Sequence, residues 1–152
     1  MKVATNEEVL RQLIVELRLL EGTANTLQSR LNFVNAILTE LNYAKMTLEG
    51  LEKEKKDVPL FVPIGGGSYI RAKLESAENV IVGMGAGVSV EKSFSEAKET
   101  VGNRISQLEA SRRTLQQQFT QVAQKMEEDQ ARFQEISEKL REVERRRNVP
   151  KA

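Results

Sequence analysis

Apolar side chains recur in alternating steps of three and four residues at both ends of this chain, with a different period between them. In the first half, Leu10, Leu17, Ala24, Leu31, Leu38 and Lys45 fall on one seven-residue row. Leu13, Leu20, Leu27, Val34, Leu41 and Leu48 fall on a second. In the last third, Val101, Leu108, Leu115, Val122, Asp129, Ile136 and Val143 form one row, and Ile105, Arg112, Phe119, Met126, Phe133 and Leu140 the other. Interleaved rows of this kind are the seam of a left-handed coiled coil, so each end predicts one long helix.

The two seams match when the chain is folded back on itself. Pairing Leu48 with Val101 in an antiparallel register brings Leu41 to Leu108, Val34 to Leu115, Leu27 to Val122 and Leu13 to Ile136. The second row pairs Leu31 with Phe119, Ala24 with Met126, Leu17 with Phe133 and Leu10 with Leu140. The levels Lys45–Ile105, Leu38–Arg112 and Leu20–Asp129 are imperfect. Long basic side chains can lay their stems along apolar surface and keep the charge in water. Asp129 has no such stem, so it either loosens the seam or fixes its register. Pairing of each helix with another chain is the alternative; the matched registers favour an intrachain hairpin.

Thr5 and Glu8 form a capping box at the start of the first helix, and Ser93 and Glu96 a second at the start of the other. Asp57-Val58-Pro59 is expected to end the first helix, because proline disfavours helix at the residue before it. Pro150 closes the second after the basic run Arg145-Arg146-Arg147, which suits a helix C-terminus. Residues 1–57 and 92–152 therefore read as the coiled coil, and 58–91 as a separate segment.

In that segment the period changes. Leu60 to Ile64 is extended and apolar, Gly65-Gly66-Gly67 is a turn, and Ser68 to Leu74 alternates like a half-buried strand. Asn79 to Met84, the turn Gly85-Ala86-Gly87 and Val88 to Glu91 repeat the arrangement. The prediction is α+β: a long antiparallel two-helix coiled coil with two central β-hairpins. Short hairpins alone are marginally stable, and their open edges invite pairing with other chains. The hairpins are therefore expected to close an intersubunit sheet or β-barrel with partner subunits. Val62, Ile64, Tyr69, Ile70, Val80, Ile81, Val82, Val88 and Val90 are the candidate assembly residues.

Composition narrows the function. The 152 residues include 30% charged and 5% aromatic side chains, with no tryptophan, which suits a helical rod better than a globular core. Basic and acidic residues nearly cancel, and no basic stripe runs along either helix, so no nucleic-acid partner is expected. The chain has no cysteine and no histidine, which removes thiolate metal sites, the commonest metal ligand and the commonest general base. Glu7, Glu8, Arg11 and Glu16 interrupt any signal-like apolar run, and no stretch reaches membrane-spanning length. The chain is thus expected in the cytoplasm, off the membrane. Gly83 to Gly87 breaks the dinucleotide-loop spacing and precedes a strand, and Glu91 occupies the glycine position of a phosphate loop. No catalytic, metal or cofactor residues are assigned, and an enzyme is not expected.

The order helix, two hairpins, helix resembles the α-class subunit of archaeal prefoldin. Val58-Pro59-Leu60, Val62 to Tyr69 and above all Val80 to Ser93 carry that resemblance, including the Gly-x-Gly turn and the Val-Glu-Lys exit into the second helix. The resemblance implies an ATP-independent holding chaperone, with two α-class and four β-class subunits joined through their hairpins into a double barrel. Its coiled coils would hold non-native chains at their free ends and pass them to a group II chaperonin. The implied partners are prefoldin β subunits, another α subunit, unfolded clients and that chaperonin. The alternative is a homomeric filament, as some archaeal α-class relatives form.

Under that resemblance the free ends are the chain termini. Val9, Ile14, Val15 and Leu19 lie off the seam there. With the seam residues Leu10, Leu13, Leu17, Phe133, Ile136 and Leu140 they would offer an apolar surface larger than a coiled coil needs, which usually marks an interaction site. The candidate client-binding set is Val9, Leu10, Leu13, Ile14, Leu17, Phe133, Ile136 and Leu140. A fatter seam or contact with a neighbouring arm is the plainer reading. Off-seam Phe33, Ile37, Tyr43 and Met46 are expected against neighbouring subunits. The basic tail from Lys139 to Lys151 reads mainly as a solvated helix end.

Overall fold

The computed structural model describes residues 5–76 and 78–147. The element order is α1 (Asn6–Leu51), β1 (Pro59–Gly65), β2 (Ser68–Lys73), β3 (Asn79–Gly85), β4 (Val88–Ser93) and α2 (Phe94–Arg147). The chain divides into two compact units: Met1–Phe33 with Arg112–Ala152, and Val34–Ser111. Both long helices run through both units.

Helix starts follow the capping residues. The Glu8 backbone N–H donates to Thr5 Oγ1 at 3.3 Å, and the Thr5 N–H donates to Glu8 Oε2 at 2.9 Å. Ser93 and Glu96 repeat this exchange at 3.1 and 3.2 Å. The Ser93 backbone and hydroxyl hold the Glu96 carboxyl below the usual carboxylate range. A depressed carboxyl stabilises the fold above its unfolded pKa, and that contribution is lost as pH falls through the lower folded value. Ser93→Ala is expected to cost about 1 kcal/mol of stability, read by thermal unfolding near neutral pH. The difference from wild type should shrink in acid as Glu96 is protonated.

The first helix stops at Leu51, short of the Asp57–Pro59 boundary that the proline predicts. Glu52 to Lys56 are all charged, so no apolar side chain continues the seam. The last turn tightens, with the Lys53 N–H on the Gly50 carbonyl and the Glu54 N–H on the Leu51 carbonyl. Asp57 then takes a left-handed conformation, φ 65°. Its N–H donates to the Leu74 carbonyl at 2.7 Å, while the Leu74 N–H donates to Val58 at 3.0 Å. The residues before Pro59 thus extend the first hairpin instead of the helix. The expected stop at Pro150 lies outside the described residues, as does Lys151.

In the unit that holds both chain ends, Leu13, Leu27 and Leu31 are buried. Ala24, Phe119, Val122, Met126, Phe133 and Ile136 are half-buried. The seam rows therefore face inward there, with one correction. Val143 is 60% exposed. The register that pairs Leu13 with Ile136 would place Asn6 opposite it, and a polar residue gives it nothing to pack on. In the other unit Val34, Leu38, Phe94, Ala97 and Val101 are buried and Ile105 half-buried, and Lys45 is exposed. Glu52 and Lys98 form an ion pair there between the end of α1 and the start of α2.

Each hairpin is an antiparallel two-stranded sheet of its own, β1 with β2 and β3 with β4. They share one design. Val62 pairs with Ile70 and Gly65 with Ser68, leaving Ile64 as a bulge; Val82 pairs with Val90 and Gly85 with Val88, leaving Met84 as the equivalent bulge. The turn residues Gly66 and Gly67 have φ 56° and 73°, and Ala86 and Gly87 have 51° and 76°. Two successive positive φ angles match the twist of the strands, which is why glycine dominates here and why Ala86 is under strain. The alternating Ser68–Leu74 segment predicts a half-buried strand, but β2 is exposed at every position except Ala72. Among the described residues no second layer covers it.

Candidate assembly and client-binding surfaces

Strand alternation sorts the hairpin residues into two faces. Leu60, Val62, Ile70 and Ala72 share one face of the first hairpin; Val80, Val82, Val88 and Val90 share one face of the second. These faces are apolar apart from Ser68 on the first and Lys92 on the second, whose ammonium donates to Thr100 Oγ1 at 3.1 Å. Ile70 and Val88 are more than half exposed, Val62 and Val90 less so, and Val80 and Val82 are half-buried. The opposite faces are mixed. Phe61, Pro63, Tyr69, Arg71 and Lys73 lie on the first hairpin, and Ile81, Ser89 and Glu91 on the second. Of the nine candidate assembly residues, Tyr69 and Ile81 therefore face away from the apolar side, and Ile64 sits in the bulge. The second hairpin touches α2 through Arg104, whose guanidinium lies 3.8 Å from Met84 Sδ.

The unit holding the chain ends divides the candidate client residues differently from their sequence grouping. Leu13 is 3% exposed, closed within the seam. Val9, Leu10, Leu17, Phe133, Ile136 and Leu140 are half-buried. Ile14 alone of that set is exposed, at 39%. Val15 and Leu19, off the seam and one turn apart, are far more open at 57% and 68%. With Arg11, Gln12 and Glu16 they line a shallow depression whose surface is almost entirely apolar. The sequence signal for them is their i, i+4 spacing on the side away from the seam rows. Leu13 becomes available only if the two helices separate.

Asp129 shows how the register of that seam is held. Its side chain is 3% exposed, and its Oδ1 accepts from Lys125 Nζ at 2.7 Å. The same ammonium lies 3.5 Å from Glu16 Oε1 on α1. The hydrogen bond to Asp129 raises the Lys125 pKa above the ordinary lysine range. Lys125 thus ties the buried carboxylate to the opposite helix, which fits fixing of register, the second of its two expected roles. The tie is incomplete, since Asp129 Oδ2 has no hydrogen-bond partner among the described residues. Replacing a buried ion pair with well-packed apolar side chains is often neutral or stabilising by about 1–4 kcal/mol, and removing Asp129 alone strands no buried charge, because Lys125 is 45% exposed and keeps Glu16. Asp129→Leu is therefore expected to raise the melting temperature while loosening the register. The second effect is read as altered proximity between spin labels on α1 and α2.

Comparison with known proteins bears on both surfaces. Residues 20–139 match the family model described as "Prefoldin subunit". The chain is similar to the prefoldin subunit alpha of Pyrococcus horikoshii, 32% identical over 136 residues, covering 84% of this chain and 92% of that one. The prefoldin subunit alpha of Methanopyrus kandleri is 33% identical over 113 residues, 74% of this chain and 72% of its own. A putative prefoldin subunit alpha of Aquifex aeolicus is 31% identical over 124 residues, 82% and 83% of the two chains. Among solved structures, the cryo-EM structure of filamentous PFD from Methanocaldococcus jannaschii shares the fold, with a TM-score of 0.60 and 23% identity over 83% of this chain and 98% of that one.

Proposed function

The chain belongs to the prefoldin family, a family of chaperone subunits that assemble with one another, and from that membership we propose that it is a holding chaperone subunit. It binds non-native polypeptides without nucleotide, keeps them from aggregating and passes them to a group II chaperonin in the cytoplasm. Its hairpins close a β-barrel with those of other subunits, two of the α class with four of the β class. Its terminal helix ends carry the client surface. This is a binding role with no catalytic step.

The observation that carries the reading is the amount of apolar side chain left open to water in each unit. One hairpin face holds Leu60, Val62 and Ile70 and its counterpart holds Val82, Val88 and Val90; Leu60 and Val82 are half-buried, and Val62, Ile70, Val88 and Val90 stay exposed among the described residues. Uncovered apolar faces with free strand edges are unfavourable in isolation and favour pairing with further strands. Val15 and Leu19 are the corresponding exposed pair where the chain begins. A single such pair binds weakly, but several arms acting together hold one client by avidity. Among the described residues no helix is long and apolar enough to cross a membrane.

A second reading has its own support. The fold is shared with a filamentous prefoldin, and a chain with two quasi-equivalent hairpins has two association sites. In that reading copies of this chain join end to end without a β-class partner. Sizing separates the two. The hexamer reading expects small species from the chain alone and one defined complex when a β-class subunit is added. The filament reading expects long polydisperse polymers from the chain alone. Suppressed aggregation of a diluted denatured client, with no nucleotide present, tests the holding activity common to both. Unchecked aggregation in the presence of correctly assembled protein contradicts it.

A further inference from the structure

The two hairpins are copies of one design offset by twenty residues, and at one rung of that design their charges are opposite. Position 71 of the first hairpin corresponds to position 91 of the second, because Val62–Ile70 matches Val82–Val90 and the bulges at Ile64 and Met84 coincide. Arg71 stands across from Phe61, and Glu91 stands across from Ile81. All four side chains lie on the mixed faces, opposite the apolar faces described above. Ile81 is the most open large apolar residue described, at 79%, and Phe61 is 67% exposed. The Arg71 guanidinium sits 5.9 Å above the Phe61 ring. Neither Arg71 nor Glu91 forms an ion pair with a described residue. Each hairpin therefore offers the same small patch, one exposed apolar side chain beside one unpaired charge, in opposite sign.

We propose that Arg71 and Glu91 direct association between copies of this chain: the mixed face of one copy's first hairpin docks on the mixed face of a second copy's second hairpin. Arg71 meets Glu91, and Phe61 lies beside Ile81. Charge complementarity selects this occupant. First hairpin against first hairpin sets Arg71 against Arg71, with Lys73 on the same face adding to the repulsion, and second against second sets Glu91 against Glu91. Like charges forced together at an interface discriminate against the wrong pairing more strongly than the correct pair adds affinity. A contact between unlike patches is heterologous, so the joined pair keeps one patch of each sign free, one on each copy, for the next. The inference rests on the homomeric reading. It adds a direction of assembly and a face distinct from the apolar one.

The test is a charge swap in the full-length chain, followed by sedimentation velocity over a range of concentration and salt. Arg71→Glu alone and Glu91→Arg alone are each expected to weaken self-association by roughly tenfold or more. The double variant, with Glu at 71 and Arg at 91, should return to within roughly threefold of wild type, since the pair is restored in reverse. Mixing the two single variants should also restore association, as alternating copies. Added salt should weaken wild type and strengthen the single variants. All four positions are exposed, and circular dichroism melts should be unchanged, which separates lost docking from lost folding. If wild type associates but the double variant is no better than either single one, the charge address is wrong and self-association stands. If wild type stays monomeric throughout, the second copy is the wrong occupant and the homomeric reading falls with it.

Discussion

Replacing Val82 and Val88 together with aspartate is expected to abolish assembly and leave the chain folded. Both residues lie on the apolar face of the second hairpin, Val82 half-buried and Val88 56% exposed. In the lone chain an aspartate at either place keeps most of its hydration, so little stability is lost. In an assembled barrel both carboxylates would be buried without a partner. Each then costs several kcal/mol, and at about 1.4 kcal/mol per decade the pair weakens association by at least a thousandfold. Sedimentation with a β-class subunit should show no barrel-joined complex, while far-ultraviolet circular dichroism keeps its helical signal. Val82→Leu with Val88→Leu preserves the apolar face and should assemble. A double-aspartate variant that assembles normally would place the interface elsewhere.

Loss of client holding on changing Ile14, Val15 and Leu19 to glutamine is the second large effect. These side chains are 39%, 57% and 68% exposed, so the substitution removes apolar contact surface without opening the seam, where Leu13 stays closed. Glutamine is also a good helix former, so α1 should persist. Fully burying a side chain of this size is worth about 1.5–3 kcal/mol, and a client covering even part of all three loses a large share of its affinity for each arm. In a complex whose arms share one client, the loss multiplies. Assembly, assigned above to the hairpins as a proposal, should be untouched. Client aggregation should then require at least about tenfold more complex to suppress.

Much of this architecture was legible in the sequence because the seam has a strict period and both helices announce their starts. Leu13, Leu27, Leu31, Leu38 and Val101 are buried as their rows predict, and Thr5 with Glu8 and Ser93 with Glu96 make the capping exchanges that their spacing predicts. The two misread helix ends lie where the seam runs out of partners. Val143 keeps the period but would face Asn6, and α1 stops at Leu51 because only charged residues follow. Proline marked where the strand begins, not where the helix ends.

The hairpins were legible from glycine and alternation, but their detail was not. Ala86 in a left-handed turn and the matched bulges at Ile64 and Met84 follow from closing the ladders, which residue type alone does not specify. The same holds for the client surface. Periodicity separates seam from off-seam positions, but it does not rank exposure among the latter, so Ile14 was grouped with the buried Leu13 while Val15 and Leu19 are the open pair. Asp129 could be read as a flaw or a pin from sequence. Lys125 bridging it to Glu16 requires the two helices side by side.

The central claim is that clients are held by the terminal helix ends while the hairpins only assemble the complex. The most direct measurement compares light scattering of a denatured client diluted into two assembled complexes without nucleotide. One contains the intact chain, and the other a chain lacking residues 1–20 and 131–152. The account predicts suppressed aggregation with the first and unchecked aggregation with the second, both complexes having sedimented as assembled. Equal protection by the two would contradict it and move client binding to the hairpins or the remaining helix faces.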